Sequence, residues 1–415
     1  RPSGNTEDGF QLLVAALDYD SHLGQIVVGR IARGKVSVGD LVARISQDGA
    51  STFHKVSKLF VFEGISRSEI AQAEAGEIVA LSGLEKVAIG DTIAEADKLE
   101  TLPGIDIGQP TVQMTFRVNN SPFAGREGQY VNSRQIRERL STELRINVGL
   151  RVEDTDSTET FLVSGRGELH LAILIETMRR EGYEFQVSKP EAIVKVENGQ
   201  KLEPYEQLVL DVGEESIGVL VENLSARLAH MTDMRNDGQR SLRLDFSIPT
   251  RGLIGFRSFF LKATRGDGQM NSTFTGYEPL RGEVESTRSG ALVAAETGHA
   301  NAYGLSNAQQ RGMMFVEPGM PIYEGMIVGV HARDSDLVVN VCKEKKLTNI
   351  RSSTSDIAVK LTPPVLMSLE EALDFIVEDE VVEVTPKSIR LRKGVLGNDQ
   401  RYRIKRHNGQ VPLRR

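Results

Sequence analysis

The sequence predicts a multidomain protein of β and α+β modules, and three observations lead there. At 415 residues the chain exceeds a single core, since domains average roughly 150 residues. Its first hundred residues read as short apolar strands punctuated by Gly-Asp turns, the pattern of a β-barrel. Two later stretches each repeat the order strand–helix–strand–strand–helix–strand, the split unit of ferredoxin-like domains. Composition agrees with a globular chain, with 40% hydrophobic and 26% charged residues, well away from disordered sequences. A formal charge of −7 excludes a protein that coats nucleic acid over its whole surface, but permits local basic faces. Cys342 is the only cysteine, which excludes a disulfide frame and a cysteine zinc site and fits a reducing, cytoplasmic setting. No run approaches the roughly 18 apolar residues of a membrane span, and no signal peptide pattern opens the chain. It starts Arg-Pro-Ser-Gly rather than with Met, and is read as a fragment or processed form.

Residues 1–104 supply the barrel, with strands expected over 25–31, 39–42, 77–81 and 90–93. The acidic run Asp18-Tyr19-Asp20 has the look of a calcium loop, but its twelfth position is Gly29, where a bidentate Glu is needed, so it is rejected. His22 and His54 lack partners at ligand spacing and are read as surface or packing residues. The pattern Gly24-x-Ile26-x-x-Gly29-Arg30-Ile31-x-x-Gly34-x-Val36-x-x-Gly39-Asp40, with Ala75-Gly76-Glu77 and Ile89-Gly90-Asp91 later, resembles the second domain of translational GTPases. That resemblance implies a translation-factor β-barrel that follows a GTP-binding domain and leans on the small ribosomal subunit.

Residues 105–197 form the first ferredoxin-like unit, with helices expected over 133–144 and from 164 onward. Leu171, Leu174, Ile175 and Met178 fall on one helical stripe, and Gly182 ends it. Gly165-Arg166-Gly167 before that helix is open to two readings, an anion held on free backbone N–H groups or a tight strand-to-helix turn. Ser164-Gly165-Arg166-Gly167-Glu168-Leu169-His170-Leu171 is similar to the third domain of elongation factor G, and Asn119-Asn120-Ser121-Pro122-Phe123-Ala124-Gly125-Arg126-Glu127-Gly128 resembles the narrower TypA/BipA family. Residues 198–281 repeat the unit and look like the fifth domain of elongation factor G, whose fourth domain has no counterpart here. Arg166, Arg251, Arg257 and Arg265 lie near turns and are candidate secondary contacts to rRNA phosphates; scattered surface arginines explain them nearly as well.

Residues 282–415 return to β structure and carry the stretch that looks functional, 340–356. Strands are expected on both sides, at 326–330, 337–339 and 357–361. Between them Lys343, Lys345, Lys346 and Arg351 alternate with Asn349, Ser352, Ser353 and other small polar residues. Cations beside hydroxyl and amide groups suit an RNA backbone; a merely solvated hairpin is the plain alternative. Ser368 and Glu371 make a capping box for a helix to about Ile376, and 381–384 is an acidic strand. From Lys387 onward ten Lys or Arg face one acid, Asp399. That basic run either attaches electrostatically to RNA or is a solvated end; a mixture is expected, with residues 389–392 a strand and the remainder a mobile tail.

Across its length the chain resembles the TypA/BipA family, an elongation factor G-like group of translational GTPases, through Gly252-Leu253-Ile254-Gly255-Phe256-Arg257 and Lys343-Glu344-Lys345-Lys346-Leu347-Thr348-Asn349-Ile350-Arg351-Ser352-Ser353. LepA shares the earlier domains and remains an alternative, as does a protein-interaction scaffold without RNA contact. The resemblance implies a partner in the ribosome, both subunits included, with 23S rRNA and the acceptor end of A-site tRNA near the peptidyl transferase centre. It also implies a role in ribosome assembly and in growth under stress, in the cytoplasm, as a monomer. No G-x-x-x-x-G-K-[ST] occurs, so GTP and Mg²⁺ are expected only in a missing N-terminal domain. On that basis no catalytic residue, metal or cofactor is expected in this chain, which is read as no enzyme. A rival reading makes it a hydrolase built on His170 or His331 with Asp334 and Asp336, but no nucleophile accompanies them.

Overall fold

The computed structural model describes residues 4–20, 22–64, 66–105, 108–236, 241–284, 288–344 and 360–407. The chain divides into two compact units, residues 1–110 with 137–152 and residues 111–136 with 153–415. Its architecture is multidomain β and α+β, as the sequence predicts.

In the first unit eight antiparallel strands run across one sheet in the order Ser51–Lys55, Leu41–Ile45, Thr92–Glu95, Gln11–Asp20, Gly24–Arg33, Ile78–Ser82, Lys58–Glu63, Ser66–Ile70. A ribbon of Lys35–Ser37 and Gln72–Glu74 closes on the same core through Val36 and Ala73, packed with Leu12, Val27, Leu59 and Ile93. The glycine–acid punctuation has one cause, used three times. Gly39, Gly76 and Gly90 have φ of 95°, 95° and 88°, open to glycine at little cost. The acid that follows turns back to accept a backbone N–H three residues earlier. Ser37 N donates to Asp40 at 2.7 Å, Glu74 N to Glu77 at 2.8 Å, and Ala88 N to Asp91 at 2.8 Å. Asp20 is spent likewise, accepting from His22 N and Leu23 N.

After Pro110 come the strand Val112–Val118, α1 (Ser133–Glu143), strands Arg151–Asp154 and Thr160–Gly165, α2 (Glu168–Arg180) and strand Phe185–Ser188. α2 buries the stripe Leu171, Leu174, Ile175 and Met178. Next come strand Gln200–Gly213, α3 (Ile217–Ala226), strands His230–Asn236 and Ser241–Pro249, α4 (Thr250–Leu253), α5 (Phe256–Ala263) and strand Gln269–Pro279. Numbered by sequence within this segment, its four sheet strands lie 2-3-1-4, the ferredoxin-like order. Leu220, Leu224, Phe256 and Phe260 bury its open face.

The remaining elements are strand Ala291–Ala294, the short pair Gly298–His299 and Pro321–Ile322, α6 (Ala302–Gln309), strands Gly312–Met314, Met326–His331 and Leu337–Val339, α7 (Leu369–Phe375), strands Glu380–Val384 and Ile389–Lys393, and α8 (Asn398–His407). The capping box at α7 is present in both directions. Three features differ from expectation. α6 lacks a strong apolar stripe and was not foreseen. α8 occupies residues expected to be mobile. Of the strand expected at 357–361, residues 357–359 lie outside the described residues, and Lys360 and Leu361 are not in a strand.

Segments expected as separate domains share a sheet. Phe185–Ser188 pairs antiparallel with Glu380–Val384, so 105–197 and 282–415 join in one eleven-stranded sheet among the described residues. The motif around Asn119 fastens this seam. Asn119 Nδ2 donates to Glu184 at 2.8 Å and to Glu383 at 3.0 Å, and Ser121 Oγ to Glu383 at 2.9 Å. Tyr323 donates to the other Glu383 oxygen at 2.7 Å, and Phe123 meets the Tyr323 ring edge-on at 5.0 Å. Buried carboxylates need such full partnering, since an unpaired one costs several kcal/mol (roughly 3–5).

Candidate nucleic-acid interface

The described ends of the stretch around 340–356 are rooted on α6. Val341 is fully buried beside Leu305 and Ala308. Asn301 accepts from Gly304 N at 2.8 Å, capping α6, while its Nδ2 donates to the Cys342 carbonyl at 2.7 Å. Its backbone N donates to the Val341 carbonyl at 3.0 Å. A Cβ at residue 304 would stand 2.3 Å from that carbonyl, so glycine is required for the approach. The returning chain is held at the other end of α6. Gln309 donates to the Thr362 carbonyl at 2.8 Å and accepts from Thr362 N at 3.2 Å, with Leu361 packed on the same core. Eight helical residues set these roots roughly 12 Å apart at ~1.5 Å per residue.

Lys343 stands exposed at the outgoing root, without an ion-pair partner among the described residues, beside exposed Glu344. Lys345, Lys346, Asn349, Arg351, Ser352 and Ser353 lie outside the described residues. The candidate secondary contacts separate. Arg166 and Arg265 are exposed and Arg257 half-buried, all three without an ion pair among the described residues. Arg251 is committed elsewhere, to the fully buried Glu203 and to the carbonyls of Arg281 and Gly282. It is a structural clamp, and a phosphate would have to compete with Glu203.

The Gly165-Arg166-Gly167 turn spends its own groups. Arg166 N donates to His170 Nδ1 at 3.3 Å and its carbonyl accepts from Thr111 Oγ1. That favours the tight turn and leaves His170 holding its own helix start. His331 is buried with Nδ1 2.6 Å from the Ser335 carbonyl. Asp336 accepts from Ala291 N and pairs with Lys393 at 2.6 Å, while Asp334 is exposed. The hydrolase grouping is therefore not assembled. Among the described residues no group of three or more His, Cys, Asp or Glu is placed to hold a metal ion, and no helix is long and apolar enough to cross a membrane.

The basic run after Lys387 does not form one surface. Arg390 pairs with Glu127 and with Glu383 at 2.8 Å. Arg392 donates to the side chains of Asn120 and Gln186. Lys393 reaches Glu380 at 2.8 Å and Asp379 at 3.1 Å. These three belong to the seam, whereas Arg403 and Arg406 on α8 are exposed.

Residues 289–398 match the TypA/BipA C-terminal domain, 200–288 the elongation factor G C-terminus and 24–94 elongation factor Tu domain 2. The large ribosomal subunit assembly factor BipA of Escherichia coli (strain K12) is 47% identical over 98% of this chain and 67% of its own length. The chain belongs to the TypA/BipA family of translational GTPases. Factors of the same description from Bacillus subtilis (strain 168) and Synechocystis are 50% and 52% identical, over 96% and 94% of this chain. The chain spans 66% of the length of each of those two relatives. A crystal structure of a Thermus thermophilus protein covers 66% of this chain and 56% of its own at 16% identity and a TM-score of 0.44, too slight a likeness to define a fold. TypA/BipA membership sets aside the LepA-like alternative. It also corrects the reading of this chain as no enzyme, drawn from the absent phosphate-loop motif. Matches over 94–98% of the chain class it with the BipA GTPases. Both loop roots, α6 and the Ile389–Lys393 strand fall within the match to the BipA C-terminal domain.

Proposed function

We propose that this chain docks on the ribosome as the RNA-reading part of a TypA/BipA factor and acts in assembly of the large subunit. The names of its relatives support the assembly role. Lys343, Lys345, Lys346 and Arg351 neutralise phosphates of 23S rRNA, while Asn349, Ser352 and Ser353 bond to phosphate oxygens or 2′-hydroxyls. The same loop touches the acceptor end of A-site tRNA near the peptidyl transferase centre, with the barrel on the small subunit. Arg166, Arg257 and Arg265 add secondary phosphate contacts. The protein works in the cytoplasm as a monomer, in growth under stress. Hydrolysis of GTP with Mg²⁺, stimulated by the ribosome, belongs to the same proposal, and no binding step is routed through either.

The observation that supports this reading most is the pair of roots pinned to the two ends of α6. A long polar loop on a fixed base loses less freedom on binding than one on a loose base. Changing Lys343, Lys345, Lys346 and Arg351 to Ala tests it by sedimentation with ribosomes across a salt series. Four phosphate contacts contribute a slope of roughly −3 in log affinity against log salt, and the variant loses that much. An unchanged affinity and slope sinks the loop's role, and binding insensitive to salt throughout favours a protein scaffold.

A further inference from the structure

The helix α8 has no role in the reading above and lies almost wholly beyond the residues matched by the BipA C-terminal domain. It is an unusual element to find folded. Ten residues, Asn398–His407, form a helix, shorter than the ~12–15 residues that an isolated helix needs in water. Packing offers it little. Arg401 is half-buried and donates to the carbonyls of Val395 and Leu396, Asn398 N donates to Glu324 at 2.7 Å, and Leu396 just before it joins the core. The other described side chains are exposed, including Tyr402 at 53% and Ile404 at 48%.

What α8 displays is specific. It carries Arg401, Arg403, Lys405 and Arg406 against the single acid Asp399, in a chain of net charge −7. At ~3.6 residues per turn, Arg403 and Arg406 fall on the side away from the anchoring Arg401, with Tyr402 flanking them. Neither Arg403 nor Arg406 has an ion-pair partner among the described residues. We infer that α8 is a second RNA-docking helix, its two arginines bridging phosphates of a structured RNA and Tyr402 stacking on an unpaired base. Charge complementarity selects a polyanion, and the exposed ring beside guanidinium groups selects RNA among polyanions. A lipid surface fits less well. Tyr402 and Ile404 sit two residues apart, on different sides of the helix, so no apolar stripe forms. The inference rests on the ribosomal reading for its choice of RNA, not on the loop.

The test uses the full chain with deproteinised large-subunit rRNA across a salt series, and with phosphatidylserine vesicles in parallel. Arg403→Gln with Arg406→Gln should weaken rRNA binding roughly tenfold near 0.1 M salt and flatten the log–log slope by about 1.5. Tyr402→Ala should weaken it about tenfold with the slope unchanged. Being exposed, neither change should move the thermal transition. The four-alanine loop variant is run beside them. If the loop variant binds normally while the α8 variants fail, the loop reading falls and α8 stands. Wild-type affinity and slope in both α8 variants overturn the inference, whatever the loop variant does. So does a loss confined to vesicle binding, which would make α8 a membrane-surface helix.

Discussion

The strand Ile389–Lys393 and the helix α8 carry similar charge and lie a few residues apart, yet they do opposite things. Arg390, Arg392 and Lys393 are 6%, 2% and 2% exposed and held by ion pairs or hydrogen bonds. Arg403 and Arg406 face solvent. What separates them is the neighbouring acidic strand. Glu380 stands opposite Lys393 and Glu383 opposite Arg390 in the antiparallel register, so those two cations are neutralised inside the sheet, while Arg392 is held by Asn120 and Gln186. At the helix, Glu324, Asp336 and Asp379 act on the anchoring Arg401, while Arg403 and Arg406 have no ion-pair partner among the described residues. Sequence charge therefore becomes presented charge only where the fold leaves it unpaired, and a basic run is not by itself an RNA-binding surface.

The largest effect that can break this comparison lies at Arg390. Arg390→Met leaves the fully buried Glu383 and the half-buried Glu127 without their cation. Removing one partner of a buried pair costs roughly 3–5 kcal/mol, and thermal unfolding should fall accordingly. The same variant should bind rRNA with an unchanged salt slope wherever it remains folded. Arg403→Gln, by contrast, should move stability by less than about 0.5 kcal/mol. A stable Arg390→Met with weakened RNA binding would reverse the two assignments.

Much of the fold was legible because its signals are local. Strand spacing, Gly-acid turns, the α2 stripe and the Ser368 capping box each need only a few neighbouring residues. The seam was not read, although a trace of it was present. Glu380 and Glu383 are three apart, as are Arg390 and Lys393, so a hairpin that pairs one couple pairs the other. The partners of Asn119 lie 65 and 264 residues away, beyond the reach of any local pattern. α6 escaped for another reason. Its work is done by Asn301, Gly304 and Gln309 through hydrogen bonds and close approach, which leave no hydrophobic period. Of the candidate site, Lys343 is exposed, whereas Arg251 is lost to Glu203, a partner that sequence separation hides.

A second, half-buried site sharpens the comparison because its charge is incompletely partnered. Glu168 at the start of α2 is pushed up to about 7, first by burial and then by Asp374, against the Gly255 N–H that donates to it at 2.8 Å. Asp374 on α7 is itself raised by burial, although Ser258 donates to it. Arg227 is lowered by burial, and its Nη1 is spent on the carbonyls of Gly252 and Ile254. Glu370 adds further negative charge. The folded form thus holds the Glu168 proton more tightly than the unfolded chain does. Its stabilisation is complete below pH 4.5 and is lost as pH rises from there through about 7, on the order of 3 kcal/mol in all. Glu168→Gln removes the titration. Denaturation of the variant should lack this fall, and above pH 7 it should be the more stable protein. A variant that still loses stability over that window assigns the dependence to another group.

The smallest effect tests whether the loop's base matters. Asn301→Ala removes the α6 cap and the bond to the Cys342 carbonyl together. The cap alone is worth about 1 kcal/mol, so the thermal transition should drop only slightly. Every loop cation remains, so the salt slope of rRNA binding should be preserved. Affinity should nevertheless fall severalfold, because a loosened root must be ordered on binding, at roughly 0.5–1.5 kcal/mol per immobilised group. Asn301→Asp separates the two jobs, since its carboxylate still caps α6 but has no amide to donate to Cys342. If Asn301→Asp binds like the native chain, the root needs no such anchor and the loop works from the core contact of Val341 alone. If it binds like Asn301→Ala, the amide that holds the Cys342 carbonyl is what aims the loop.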